Sequence, residues 1–236
     1  MPPVLIKDMK RFFAVSFIKN LNARSYYGIS PSIMITSTRF EQYARDKKAY
    51  SLQLWTDKEL TTFFDCFPEG VTGRYLKKTL KDWDYWDFHP KSVNSLCAIV
   101  SKKFVDVLNE LGVSREEFFL KEIRVGKAND VLYMLFVPLW GLDVIIYPQS
   151  TFEIGQLKID RKKVDINSKD EHLKLVANHY YPHPIKAVIS EIVRDKDIFQ
   201  FQSNVYPCFS ERLVNALRLK GVTGFEVVER MEVFAL

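Results

Sequence analysis

Two stretches of the chain, separated by 109 residues, repeat nearly the same sequence. Residues 101–113 read SKKFVDVLNELGV and residues 210–222 read SERLVNALRLKGV, with five identical positions. Each stretch begins with a serine that can cap the first turn of a helix, and each reaches a glycine suited to the left-handed backbone of a helix end. The repeat therefore predicts two related helices. Their predicted structural caps are Ser101, Gly112, Ser210 and Gly221.

Short apolar segments flank both helices and predict strands around them. The predicted strands are Leu96–Val100, Phe118–Val125 and Val131–Val137 in the first unit, and Ile198–Phe201 and Phe225–Phe234 in the second. The sequence thus predicts an α+β fold with a largely antiparallel sheet and packed helices. It also indicates internal duplication of a strand, serine-capped helix, glycine and strand, over about residues 96–137 and 198–234.

The first ninety residues form a strand-rich N-terminal portion. Strands are predicted at Phe12–Ile18, Ile33–Thr36 and Ser51–Trp55, followed by one helix from Asp57 and another near Arg74–Leu80. Residues 91–236 then form an α+β domain that carries both units. One continuous domain over the whole chain is also compatible with its length.

The segment between the units predicts two further helices. Ser168 and Glu171 have the spacing of a capping box, in which each side chain bonds a backbone amide near the other residue. From Pro184 onward, apolar residues recur at the spacing of an amphipathic helix. These apolar residues are Ile185, Val188, Ile189, Ile192 and Val193.

The composition favours a globular protein of a reducing compartment. Hydrophobic residues make up 47% of the chain, and no window is apolar over the length that a bilayer requires. Cys66, Cys97 and Cys208 are widely spaced, which favours free thiols. The net charge of +5 is spread over short basic clusters, which argues against a dedicated nucleic-acid binder. We expect a cytoplasmic protein without a membrane partner.

Residues 82–89, with the sequence DWDYWDFH, have the most unusual local composition. Trp and Tyr supply large contact areas at protein interfaces, and carboxylates add specificity. The predicted partner interface comprises Asp82, Trp83, Asp84, Tyr85, Trp86 and Asp87. Two alternatives stay open for this segment. Its carboxylates could bind a metal ion or act in catalysis, or its aromatic residues could simply belong to the core.

No other pattern predicts a catalytic, metal or cofactor site. His179 and His183 are four residues apart, but Pro182 and Pro184 argue against the helix that would direct both at one metal ion. The repeated serines lack the G-x-S-x-G setting of a nucleophile, and no glycine-rich phosphate-binding loop occurs. We therefore expect no enzymatic activity and no cofactor.

The two repeats carry a resemblance to a bacterial family. Residues 209–226, FSERLVNALRLKGVTGFE, are similar to the closing motif of immunity proteins from polymorphic toxin systems. Residues 100–112, followed by Glu117 and Phe118, are similar to the central segment of those proteins. The resemblance covers roughly residues 95–140 and 198–228.

This resemblance implies an antidote that binds the C-terminal domain of a cognate toxin and blocks its active site or substrate path. We expect Trp83, Tyr85 and Trp86 to anchor the complex. The basic chain disfavours a strongly basic nuclease as the target, because like charges weaken electrostatic steering. The sequence is also compatible with a homo-oligomer. A metal-assisted hydrolase and a nucleic-acid-binding protein remain alternatives.

Overall fold

The computed structural model describes residues 9–17, 32–36, 68–75, 81–89, 97–155, 160–204 and 206–236. They form mixed β-sheets with α-helices, which confirms the predicted α+β class, although the sheets are not purely antiparallel. The strands are β1 Lys10–Phe17, β2 Ser32–Ile35, β3 Thr72–Tyr75, β4 Tyr85–His89, β5 Cys97–Val100, β6 Phe119–Val125, β7 Asp130–Phe136, β8 Leu139–Trp140, β9 Thr151–Ile154, β10 Lys162–Val164, β11 His183–Ile189, β12 Ile198–Phe201, β13 Cys208–Ser210 and β14 Phe225–Ala235.

The α-helices of these described ranges are α1 Lys102–Glu110, α2 Lys169–Ala177 and α3 Glu211–Leu219. Short 3-10 helices occur at Leu142–Val144, Tyr147–Gln149 and Glu191–Val193. None of the helices in this part of the chain has the length and apolar character needed to cross a bilayer. The strand predicted at Ser51–Trp55 and the helix predicted from Asp57 lie outside the described residues.

Six strands close into a barrel in the order β2–β3–β6–β7–β5–β4. Most neighbouring strands are antiparallel, but β2 is parallel to β4 and β3 is parallel to β6. Trp86, Ile99 and Met134 lie side by side on β4, β5 and β7 and are buried. The alternate residues Tyr85 and Val100 pack in the cluster that contains the helices. Since side chains alternate along a strand, Trp86 and its neighbours face the barrel interior.

The second sheet has eight strands in the order β10–β9–β11–β14–β1–β13–β12–β8. β1 lies between β13 and β14 and is antiparallel to both. Parallel pairs form between β11 and β14 and between β12 and β8. In the N-terminal portion, β1 belongs to this sheet, whereas β2, β3 and β4 belong to the barrel.

The two repeated units pack against each other where the barrel meets the sheet. α1 follows β5 of the barrel, and α3 follows β13 of the sheet. Both helices contribute to one buried cluster, which includes Phe104 and Leu108 from α1 and Leu213 and Leu217 from α3. The repeated hydrophobic positions therefore stabilise the contact between the two halves of the fold.

All four predicted helix caps are confirmed. The Ser101 hydroxyl accepts a 3.2 Å hydrogen bond from the Phe104 amide, and the Ser210 hydroxyl accepts one of 3.2 Å from the Leu213 amide. Gly112 and Gly221 have φ values of +67° and +64°. A side chain at either glycine would strain the backbone, so the repeated sequence has a local physical cause.

One helix prediction is wrong, and a second is contradicted at the two of its residues that the structure describes. Residues 183–189 form strand β11, and residues 191–193 form a short 3-10 helix, where the apolar spacing predicts one amphipathic helix. β11 is enclosed by β9 and β14, and its β-branched residues suit that position, so strand pairing outweighs the helix-like spacing. Arg74 and Tyr75 end strand β3 instead of forming a helix, and residues 76–80 lie outside the described ranges.

Candidate functional site

Each repeated serine belongs to a cluster of an aspartate, a serine and a cation. In the Asp84 cluster (Asp84, Ser101, Lys103), the Ser101 hydroxyl donates to Asp84 Oδ1 at 2.7 Å, and Lys103 Nζ lies 2.8 Å from Oδ2. The serine amide also donates to the Asp84 carbonyl oxygen at 2.9 Å. Asp84 directly precedes β4, and Ser101 directly follows β5, the strand that pairs with β4. The cluster therefore ties that strand pair to the helix that follows it.

The Asp197 cluster (Asp197, Ser210, Arg212) repeats this arrangement. The Ser210 hydroxyl donates to Asp197 Oδ1 at 2.6 Å, and its amide donates to the Asp197 carbonyl oxygen at 2.8 Å. Arg212 takes the place of Lys103, and its Nε and Nη2 donate to the two carboxylate oxygens. The duplication is thus present in three dimensions as well as in sequence.

Each unit also contacts the aspartate of the other. The amide and hydroxyl of Thr223, which follows the second helix, donate to Asp84 Oδ2 at 3.0 and 3.1 Å. Conversely, Glu117 follows the first helix, and its Oε2 accepts hydrogen bonds of 2.7 and 3.0 Å from the backbone amides of Asp197 and Ile198. The polar groups of the repeat are therefore used to join the two halves.

The clusters are poorly arranged for nucleophilic catalysis. Burial acts to raise the pKa of Asp84 and of Asp197, but hydrogen bonds from the neighbouring cation and serine outweigh it and lower both. Each serine hydroxyl already donates to a carboxylate and accepts from a helix amide, and Ser210 is fully buried. Both hydroxyls are engaged in these hydrogen bonds, so we interpret both clusters as framework.

The predicted acidic and aromatic interface is largely internal. Tyr85 and Trp86 are only 3% and 1% exposed, and Asp84 belongs to the cluster described above, so these three cannot form a partner surface. Asp82 is exposed and Trp83 is half-buried. The backbone of Asp87 lies in β4, but its side chain is outside the described residues. Aromatic composition alone indicated a surface, whereas strand pairing places the aromatic pair in the core.

Residues 82–88 match a second segment of the chain, at residues 195–201. Residues 82–88, DWDYWDF, and residues 195–201, DKDIFQF, share Asp, Asp and Phe at the same spacing. Both segments supply the cluster aspartate and then a strand, β4 or β12. This match is offset by 113 residues, four more than the offset of the serine-led repeat, so a four-residue gap is needed to find it in the sequence. Trp86 and Phe199 occupy equivalent positions and are both buried.

A concave surface of the described residues lies on the second sheet. Its volume is about 680 Å³, and we name it the Arg230 groove. It is lined by Glu153, Gly155, Asp160, Arg161, His179, Tyr180, Tyr181, His183, Pro184, Ser203, Asn204, Tyr206, Val228, Arg230 and Met231. Two of these side chains, Tyr180 and Tyr181, are 53% and 45% exposed, which is unusual for large aromatic residues. The groove therefore offers a site to a partner.

The loops around the groove are held by specific hydrogen bonds. His179 ends helix α2 with a φ of 62°, and the amide of Tyr180 donates back to the Leu175 carbonyl at 2.9 Å, as in a Schellman motif. Ser203 has a φ of 76°, and its hydroxyl donates to the Pro182 carbonyl at 2.8 Å. Left-handed backbone at non-glycine residues is costly and often marks functional surfaces.

An irregularity in β14 places Arg230 in the groove. Phe13 pairs with Glu232 and Val15 pairs with Val227, so residues 228–231 of β14 lie opposite the single residue Ala14 of β1. Such a bulge redirects side chains out of the regular alternation of a strand. Arg230 is exposed on it, while Met231 is buried. No sequence pattern distinguishes Arg230 from the other basic residues.

Two guanidinium groups and two carboxylates line the groove, from Arg161, Arg230, Glu153 and Asp160. Arg161 forms an ion pair with Glu153. Burial lowers the pKa of Arg161, and the positive charge of Arg230 lowers it further. The pKa of His183 is lowered by burial and then by both arginines. The two arginines therefore act on the same small volume.

The histidines of the groove are His179 and His183. No group of three or more His, Cys, Asp or Glu side chains suited to a metal ion occurs in the described ranges. His179 and His183 both line the groove but belong to a helix end and to a strand. Cys208 is a free, buried thiol, and burial raises its pKa. The side chains of Cys66 and Cys97 lie outside the described part of the chain.

Comparison with known proteins gives no assignment. The chain matches no protein-family model, and it matches no curated protein.

Proposed function

We propose that this protein is an immunity protein that binds a bacterial toxin domain and neutralises it by covering its active site. The observation that carries the proposal is the Arg230 groove, a concave surface that combines two exposed tyrosines with two arginines. Tyr and Arg are enriched among the residues that contribute most binding energy at protein interfaces. We therefore assign the contact surface to the Arg230 groove instead of the acidic and aromatic segment at residues 82–87.

The Asp84 and Asp197 clusters also support the proposal, because their polar groups are used to hold the fold together. In the resembling segments, Ser101 and Ser210 bond to carboxylates and cap helices. Such a scaffold needs no substrate and no cofactor, so activity arises from contact alone. A cytoplasmic location of the antidote follows from the same proposal, and the free thiol of Cys208 is compatible with a reducing compartment.

The proposal is tested by growth rescue. We expect the toxin to be the variable C-terminal domain of a large secreted protein encoded immediately upstream of this chain. Cells expressing that domain from an inducible promoter should stop growing, and co-expression of this chain should restore growth and give a one-to-one complex on purification. Absence of such a neighbouring domain, or no rescue when both proteins are expressed, would contradict the proposal.

A matched pair of variants connects the rescue to the groove. Tyr180→Ala together with Tyr181→Ala removes exposed aromatic area from the groove and should weaken the complex at least about tenfold. Leu219→Ala is the control, because Leu219 is an exposed apolar residue of α3 outside the groove. The control should rescue growth as well as the unaltered protein.

A further inference from the structure

We propose that the Arg230 groove binds an acidic segment of the partner protein, with one side-chain carboxylate seated between the guanidinium groups of Arg161 and Arg230. The identity of the partner as a toxin rests on the proposed function. The chemistry of the bound group does not, because it follows from the charges and hydrogen-bonding capacity of the groove.

Arg161 has an unused donor at this site. One of its terminal nitrogens forms the ion pair with Glu153, which fixes the guanidinium at the end of the β9–β10 hairpin. Its Nε is buried and has no hydrogen-bond partner among the described residues. Buried donors without an acceptor are rare because they cost free energy. A carboxylate entering the groove supplies an acceptor with the planar geometry that a guanidinium prefers.

Arg230 supplies the second cation. The bulge in β14 carries it to the groove, where its charge disfavours the charged forms of Arg161 and His183. Like charges that share a site are stabilised by an anion between them. A bound carboxylate therefore relieves the repulsion between the two arginines and satisfies the free donor in one step.

A protein carboxylate fits the groove better than a nucleic acid. Glu153 and Asp160 also line it, and they repel the closely spaced phosphates of a polynucleotide. A single carboxylate on a protein segment can approach the arginines while neighbouring uncharged residues pack on Tyr180. The net charge of +5 on the whole chain additionally favours encounter with an acidic partner.

The test uses NMR of the histidine side chains with an acetylated, amidated peptide of one glutamate flanked by alanines, AAEAA, as the probe. His183 is the reporter, assigned with His183→Gln. The charged or titratable groups that line its groove are Glu153, Asp160, Arg161, His179, Tyr180, Tyr181, Tyr206 and Arg230. Peptide binding should shift the His183 signals and raise the pKa of His183, because an anion favours the imidazolium form. His172 is fully buried in the core and outside the groove, so its signals should not move.

Two charge reversals separate a specific site from general attraction. Arg230→Glu should weaken peptide binding at least about tenfold, whereas Lys127→Glu should leave it within about twofold because Lys127 is exposed in the β6–β7 turn. Arg230→Gln, which removes the charge without reversing it, covers the case in which Arg230→Glu does not fold.

The inference is overturned if the peptide leaves His183 unchanged, if both reversals weaken binding equally, or if a decathymidylate probe shifts His183 where the single-glutamate peptide does not. Growth rescue is measured separately. Failure of the peptide with intact rescue removes the inference alone, and failure of rescue with intact peptide binding removes the toxin assignment alone.

Discussion

Replacing Asp197 with alanine should destabilise the fold by about 3 kcal/mol. The Asp197 side chain is 3% exposed and accepts hydrogen bonds from the Ser210 hydroxyl and from Arg212. A hydrogen bond to a charged group contributes about 1.5–3 kcal/mol. The Arg212 side chain is 57% exposed, so water replaces part of its bond, and we assign the arginine about half the total. The buried serine donor, left without its acceptor, accounts for the remainder.

The measurement is urea unfolding at pH 7, followed by circular dichroism. Asp106→Ala is the matched control, because Asp106 also pairs with a lysine at 2.7 Å but on the exposed surface of α1. It should cost about 0.5 kcal/mol. Asp84→Ala should lower the free energy of unfolding by a similar amount, since Asp84 is bonded to the equivalent serine and cation, Ser101 and Lys103. If Asp197→Ala costs less than about 1 kcal/mol, the assignment of these clusters as framework is wrong.

Two further predictions concern stability. Burial lowers the pKa of His172 from 6.5 to about 4, and both of its ring nitrogens lack hydrogen-bond partners among the described residues. The unfolded chain therefore binds a proton more readily than the folded protein does. The free energy of unfolding should fall by up to about 3 kcal/mol as the pH falls from 6.5 to about 4. In urea titrations, His172→Leu should remove that loss, and an unchanged pH dependence would exclude His172 as its source. Gly224→Ala should cost more than about 2 kcal/mol, because its φ is +91° and a Cβ would lie 2.4 Å from the Tyr85 carbonyl oxygen. Gly112→Ala, with φ +67° and no atom within 4 Å, should cost about 1 kcal/mol, and equal costs for both glycines would contradict the steric argument.

The sequence predicts local features of this fold well. Ser101 and Ser210 cap their helices because the signal needs only three or four neighbouring residues. The hairpin of β6 and β7 also follows from its turn, in which Gly126 has a φ of +72°. These features depend on short-range geometry, so a single sequence contains enough information to find them.

Features set by distant parts of the chain are predicted poorly. The Ile and Val spacing after Pro184 fits a helix, yet β14 and β9 enclose the segment as strand β11. Tyr85 and Trp86 resemble an interface in composition, but pairing with β5 buries them. Periodicity and composition describe one segment at a time and contain no strand order.

The groove is the least predictable part of the candidate site. It is assembled from the β9–β10 hairpin, the end of α2, the β12–β13 loop and the bulge in β14. Arg161 and Arg230 are far apart in sequence, and each occurs among other charged residues without a motif. Only the fold brings them together.

The most direct test measures, by calorimetry, binding of the neighbouring toxin domain to three forms of the protein. Arg230→Glu alters the groove, and Ser101→Ala alters only the framework. We predict a one-to-one complex with the unaltered chain, at least about tenfold weaker binding with Arg230→Glu, and affinity within about twofold for the folded fraction of Ser101→Ala. Full affinity with Arg230→Glu, together with loss of binding by folded Ser101→Ala, would show that the repeat and not the groove is the functional site.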